Sequence, residues 1–505
     1  MAIHAEETPI QSIDAYINSV KKEFHRLFNV EYDYNKLSLQ KGLPQHFLDE
    51  IMALNPLSVA IPTQFGGRGV KVSECLRMLS AASYESLSLS LMFGINIALF
   101  LEPLAKYGNT DIQERVFEDF LLNKAMGGLM ITEPAFGSDA LNMRTSYQAS
   151  SEGYNIKGQK HWQGLTGDAN YWLIAARRKS ETGELMRDVD FIMTDNSIPS
   201  QKIQVSRIYN NLGLYAIPYG INDIDVQVPL NNRLTPESTG IKMMLDILHR
   251  SRLQFPGMAV GFIKRLLDET ISHCAERQVS GAKLNEIDSV KFQLSRLQAA
   301  YTLASAMCAY SASTSSIQTD LATHSIDANS VKALVSDLMQ ESAQIALQLA
   351  GANGYRLDHI AGRGVVDSRP FQIFEGSNEM LYAQIAEGVL KAMKKAKETN
   401  LLTFLKQSSL TEYAASEFVH SLNFHLNDSI KQRHLVTLGR IIARVVCFQF
   451  VLKIYDKGFS DDMTSITRQH IDMDITMLKG QFSSGNNCSP QMSYQSCSDW
   501  IDFIF

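Results

Sequence analysis

The six cysteines of this 505-residue chain (Cys75, Cys274, Cys308, Cys447, Cys488 and Cys497) include no Cys-x-x-Cys pair. Neither a zinc or other metal site nor a disulfide framework is signalled, and the usage suits a reduced, cytoplasmic protein. Basic charge is scarce as well. The 47 Lys and Arg against 53 Asp and Glu leave a formal net charge of −6, which gives no reason to expect nucleic acid as a partner. The opening residues, MAIHAEETPI, lack the basic start and apolar run of a signal peptide. No long hydrophobic run is uninterrupted: the most apolar early stretch, Leu87 to Leu104, is broken by Ser88, Ser90, Gly94, Asn96 and Glu102, which predicts a buried helix rather than a membrane span. There is no Gly-x-Gly-x-x-Gly after a strand, hence no Rossmann dinucleotide site, and no internal repeat.

What is present is the composition of a globular protein, 45% apolar and 20% charged, long enough for about three domains at roughly 150 residues each. The pattern divides into four segments. Residues 1–126 read as helices joined by turns at Ile61–Gly67 and Lys106–Asp111. From 127 to 234 the period falls to two, as in INDIDVQVPL, where Ile224, Val226 and Val228 share a face. Helical spacing returns over 235–399, at Val290, Leu294, Leu297, Tyr301, Ala304 and Cys308 and again at Val331, Val335, Leu338, Ser342, Ile345 and Leu349. These three-and-four steps describe long antiparallel helices. Pro256 and Gly257 predict a kink or break in that segment. Residues 400–505 form a further helical extension that ends in a loop-like tail, SSGNNCSPQMSYQSCSD. The fold class is α+β, with one sheet domain inserted among helices.

Three stretches carry candidate chemistry: ITEPAFGSDA (131–140), GQKHWQGLTGDANYWLIAAR (158–177) and QLAGANGYRLDHIAGRGVVDSRPFQIFEGSNEM (348–380). The first ends a predicted strand in a turn of small and polar groups, suited to a phosphate or heterocycle, although turn chemistry by itself favours a solvated turn. Trp162 can offer a face to a flat ring or fill a core. Glu375 sits between Phe374 and Gly376; a carboxylate there is either a helix N-terminal charge or, in a water-poor pocket, a strengthened base.

Together with RSRLQFPGMAVG (250–261) and AERQVSG (275–281), and in this order, these stretches resemble the acyl-CoA dehydrogenase family over about residues 40–395. The resemblance implies FAD-dependent α,β-dehydrogenation of an acyl thioester. Glu375 would remove the α proton, and the N–H of Gly376 beside it would hydrogen-bond the thioester oxygen. Thr132 would contact the flavin, Ser138 the pyrophosphate and Trp162 the isoalloxazine. Arg277 and Gln348 match positions that reach the FAD of a neighbouring subunit, and Ser377 and Glu379 lie in the segment near the cofactor. A homodimer or homotetramer follows, with acyl-CoA or an acyl carrier protein as substrate and an electron-transfer flavoprotein or similar acceptor as oxidant. Arg252 would hold the CoA end or its neighbouring loop, and Leu91, Gly94 and Ile95 would line the acyl pocket. Ser251 stands where some members carry an alternative base, which leaves Glu375 as the candidate.

The chain departs from the family pattern at Gly164, where many members have a hydroxyl that meets the flavin and only a backbone N–H remains here. Val279, Ser280, Asp288 and Val366 are further departures. These keep two rivals in view: a flavin-binding scaffold without dehydrogenation, and a flavin oxidase or monooxygenase. For the extension, nine basic and ten acidic residues after position 399 favour packing on the body over membrane contact; a cytoplasmic location is expected, peripheral membrane association being the alternative.

Overall fold

The computed structural model describes residues 11–426, 430–484 and 490. The predicted loop tail lies outside the described residues from Gly485 onward, apart from Pro490.

The N-terminal segment is helical, from α1 (Ile13–His25) and α2 (Gln45–Ala53) to α3 (Val72–Glu85), α4 (Leu87–Tyr107) and α5 (Thr110–Leu122). Helix α4 is apolar on nearly every side and is buried accordingly; a π-helical turn at Ile97–Leu101 interrupts it. Ser86 and Asn109 cap α4 and α5 by accepting the backbone N–H groups of Leu89 and Ile112, satisfying donors that the helix itself cannot.

Seven strands follow: β1 (Gly127–Met130), β2 (Ser146–Ala149), β3 (Tyr154–Gly164), β4 (Tyr171–Arg178), β5 (Asp190–Asp195), β6 (Gln204–Ile208) and β7 (Tyr219–Val228). They form one sheet in the order β1-β4-β2-β3-β7-β6, with β5 also paired to β4. The pairs β1–β4 and β2–β4 are parallel and the remainder antiparallel. Ile224, Val226 and Val228 all face the core from β7, as their period of two requires.

The chain then returns to helices: α6 (Gly240–Glu276), α7 (Asp288–Thr314), α8 (Ser325–Ala350), α9 (Ile360–Ser368) and α10 (Asn378–Ala396). Of the kink or break expected at Pro256 and Gly257, the break is absent: α6 runs through both for 37 residues. Close packing overrides the missing proline donor. A Cβ on Gly257 would lie 3.1 Å from the Leu76 backbone, and one on Gly261 would lie 2.1 Å from the Ser80 carbonyl. These two glycines let α3 press flat along α6, and that burial holds the helix together.

In the extension, α11 (Gln432–Tyr455) packs on α7, α8 and α10, and α12 (Asp461–Ser483) lies on α7 and α11. Gly439 allows the contact with α10, since a Cβ there would fall 1.9 Å from the Tyr382 carbonyl. Tyr310 stacks on Phe450 at 3.8 Å. Asp474 joins Arg444 to Arg296, each at 2.9 Å. Both α4 and α11 are long and apolar enough to cross a membrane by length and composition, and both are mostly buried within the protein.

Candidate active site

A cavity of about 1280 Å³ opens between the sheet, α4, α6 and the 369–391 segment. Thr132, Ser138, Trp162 and Gly164 stand on its sheet side; Leu91, Gly94 and Ile95 come from α4; Arg252 comes from α6; Glu375, Gly376 and Ser377 close it. The structure thus gathers residues up to 286 positions apart in sequence onto one concave surface.

On the sheet side, β3 carries a bulge between His161 and Gln163, where Trp162 has no partner on β7 and φ is +63°. A bulge leaves one residue unpaired and re-aims its side chain. Trp162 is consequently 51% exposed rather than in a core, and its ring lies 4.3 Å from that of Tyr209. The loop bearing Thr132 and Ser138 is fastened from beneath by a buried pair. Lys160 donates to the Ile131 carbonyl at 2.7 Å and to Glu133 at 3.0 Å, while Glu133 accepts the N–H groups of Arg144 and Thr145. Burial lowers the Lys160 ammonium to about 8, against the pull of Glu133. The N–H of His161 completes the fastening by donating to the Thr132 carbonyl at 3.0 Å.

Glu375 and Gly376 are both left-handed, with φ of +57° and +91°, a conformation a glutamate adopts only under constraint. Two buried basic side chains supply it. Arg252 donates through Nε to the Glu375 carbonyl at 3.0 Å and through Nη1 to Asn329 at 2.7 Å. Lys332 donates to the Gly376 carbonyl at 2.7 Å and to Asn378 at 3.0 Å. Because C=O and N–H point oppositely across a trans peptide, anchoring the Glu375 carbonyl to Arg252 aims the Gly376 N–H the other way. Arg252 accordingly holds the loop of Glu375.

The Glu375 carboxylate itself is left without such a partner. Its Oε2 is shut off from solvent and makes no hydrogen bond. Burial raises the carboxyl above its ordinary value, with Arg252 and Lys332 opposing that rise. Phe374 and Phe255, 5.9 Å apart, provide apolar surroundings.

Other sequence candidates are placed differently. Glu379, in the first turn of α10, is exposed and outside the cavity. Arg277 and Gln348 are exposed at the far ends of α6 and α8, beside the small cluster of Cys274, Val290 and Leu349, and the single chain does not bring them to the cavity. Gly164 lines the cavity so tightly that a Cβ there would meet Ile95 Cδ1 at 2.6 Å and Ile217 Cγ2 at 3.2 Å. Its lack of a hydroxyl follows from that packing. Lys332 escaped the sequence reading; the signal was a lysine inside the otherwise core-facing run Val331, Ala333, Leu334, Val335.

Known proteins match this architecture. Acyl-CoA dehydrogenase N-terminal, middle and C-terminal domains match residues 19–122, 128–224 and 238–390. Mitochondrial isovaleryl-CoA dehydrogenase of Pongo abelii is 23% identical over 341 residues, covering 66% of this chain and 78% of its own. An acyl-CoA dehydrogenase complexed with FAD from Bacillus anthracis superposes with a TM-score of 0.74 at 16% identity, covering 94% of this chain and 90% of its own, a share that residues 1–400 alone could not reach. The prolyl acyl carrier protein oxidase AnaB gives a TM-score of 0.68 at 18% identity, over 74% of this chain and 98% of its own. With three consecutive domain matches spanning most of its length, the chain belongs to the acyl-CoA dehydrogenase family of FAD-dependent oxidoreductases.

Proposed function

We propose that this protein removes an α proton and a β hydride from an acyl thioester, giving the trans-2-enoyl thioester, with Glu375 as the base. One observation carries the reading: a carboxylate oxygen sealed from water and unpartnered, at the meeting point of an apolar wall and a wall of loop and aromatic groups. Such an oxygen is a stronger base than one in water.

The residues of the sheet side fit FAD. Trp162, Leu141 and Leu212 line the cavity as exposed apolar side chains, surface that a flat ring would cover. Trp162 and the Thr132 backbone would hold the ring, and Ser138 and Ser377 the polar parts. When bound, FAD supplies the hydride acceptor. Glu375 takes the α proton, breaking the Cα–H bond as the double bond forms. The Gly376 N–H, aimed by the Arg252 anchor, donates to the thioester oxygen as charge builds there. Arg277 and Gln348, exposed on one chain, would serve the FAD of a second copy, which makes the enzyme a homo-oligomer. Electrons leave to an electron-transfer flavoprotein or similar acceptor, and a cytoplasmic site of action is part of the same proposal.

The carrier is CoA in this reading. AnaB, a carrier-protein oxidase of the same fold, favours a second one, in which the acyl group arrives on an acyl carrier protein. Anaerobic titration of the yellow holoprotein tests both. Bleaching by acyl-CoAs supports the first; bleaching only by acylated carrier protein supports the second; bound flavin bleached by neither overturns the dehydrogenase assignment.

A further inference from the structure

The cavity wall formed by α4 and α6 carries Leu91, Ala98, Phe255 and Met258 as apolar side chains and His249, Ser251, Arg252 and Gln254 as polar ones. Gln254 is 1% exposed, yet it lines the cavity. Its Nε2 donates to Oε2 of Glu102 at 2.7 Å. Glu102 lies one helical turn beyond Ala98 and is wholly buried. Gln254 Oε1 and Glu102 Oε1 are both sealed and both without a hydrogen-bond partner.

Unpartnered buried acceptors are costly, whereas an apolar pair of the same shape costs nearly nothing. Two such oxygens beside the cavity are therefore a poor way to fill space and a good way to meet a hydrogen-bond donor. Burial pushes the Glu102 carboxyl up to about 7, so this wall suits a neutral hydroxyl as well as an amine.

We infer that Gln254, backed by Glu102, selects acyl thioesters whose acyl chain carries a hydrogen-bond donor, a hydroxyl or amino group, over plain alkyl chains. The inference rests on the acyl-thioester reading above and narrows its substrate class. A plain chain in this cavity leaves the acceptors unsatisfied, and a chain with an oxo group adds a third acceptor. A site built around such hydrogen bonds discriminates against analogues that lack the donor.

The test is calorimetric binding to the Glu375→Gln holoprotein, which turns nothing over. The probes are acyl-CoAs of equal length, either plain or bearing a hydroxyl, amino or oxo group stepped along the chain. The expected result is about tenfold tighter binding for a hydroxyl or amino group at the matching position, with the oxo analogue no better than the plain chain. Adding Gln254→Met should erase that preference. Equal affinity across the series, no binding by any member, or a preference that survives Gln254→Met overturns the inference. Should Gln254→Met fold poorly, the ratio in the Gln254 protein decides alone. Flavin bleaching of wild type by plain acyl-CoAs is read separately. Bleaching with a flat binding series leaves the dehydrogenase reading standing and ends this one; a donor preference with no bleaching by any acyl-CoA, plain or donor-bearing, nor by acylated carrier protein, ends the dehydrogenase reading.

Discussion

Arg252 holds Glu375 through a hydrogen bond to its backbone and not through an ion pair with its carboxylate: the guanidinium donates to the Glu375 carbonyl at 3.0 Å, while the carboxylate Oε2 remains without a hydrogen-bond partner. The arrangement separates positioning from basicity. A direct ion pair would have stabilised the carboxylate and weakened it as a base. Replacing Glu375 with Gln should therefore keep folding and bound FAD while lowering dehydrogenation by at least about a hundredfold, the scale of a lost general base. Steady-state turnover together with the flavin spectrum of the purified variant measures both.

Lys332 fixes the next carbonyl and favours the ionised form of Glu375 from a distance. In the proposed reaction Glu375 acts ionised, so kcat should rise with pH through the raised Glu375 pKa and then level off. Removing a cation that favours the carboxylate raises that pKa further. The pH–rate profile of Lys332→Met should shift its rising limb to higher pH, with a lower plateau as the Gly376 peptide loosens. An unshifted limb would mean that Lys332 has no electrostatic reach to the base.

Asp367 is buried, and burial pushes it up to about 6 although the Leu214 N–H donates to it at 2.6 Å and Arg363 lies near. A carboxyl whose folded pKa lies above its unfolded value contributes stability that is fully present below the unfolded pKa. That contribution is lost as pH rises through about 6. Asp367→Asn keeps an acceptor, and Arg363 keeps Asn35 and Ser38 as partners. Relative to wild type, the variant should gain on the order of 3 kcal/mol at pH 7 and nothing near pH 3, read from denaturant unfolding at the two pH values.

Gly164 and Ile95 occupy the same space. Gly164→Thr should destabilise by about 1–3 kcal/mol through overpacking, and adding Ile95→Ala should recover part of the loss. Thermal unfolding of the two single variants and the double variant measures the coupling. Additive effects would show that the clash is relieved elsewhere.

The extension buries an apolar face of α11 against α7, α8 and α10. Ending the chain after Asn400 exposes that surface and should give poorly soluble or dissociated protein in sedimentation. A soluble oligomer that had lost only its binding to liposomes would instead assign the extension to membrane contact.

Much of this was legible in the sequence because it is local. A period of two marked Ile224, Val226 and Val228, and three-and-four steps marked the faces of α7 and α8, since side-chain direction repeats with the backbone. The motif order singled out Glu375, Trp162 and Thr132. What the sequence could not decide was where side chains separated along the chain come to rest. Pro256 and Gly257 read as a kink or break, yet α6 continues because Gly257 and Gly261 let α3 lie against it. Trp162 on its own reads as core, yet a bulge against β7 turns it outward. Arg252 meets Glu375 across 123 positions and Lys332 meets Gly376 across 44. Periodicity tells which way a residue faces from its own helix or strand; only the packing of those elements decides what it faces, and so puts Glu375 on a constrained loop with one carboxylate oxygen sealed from water.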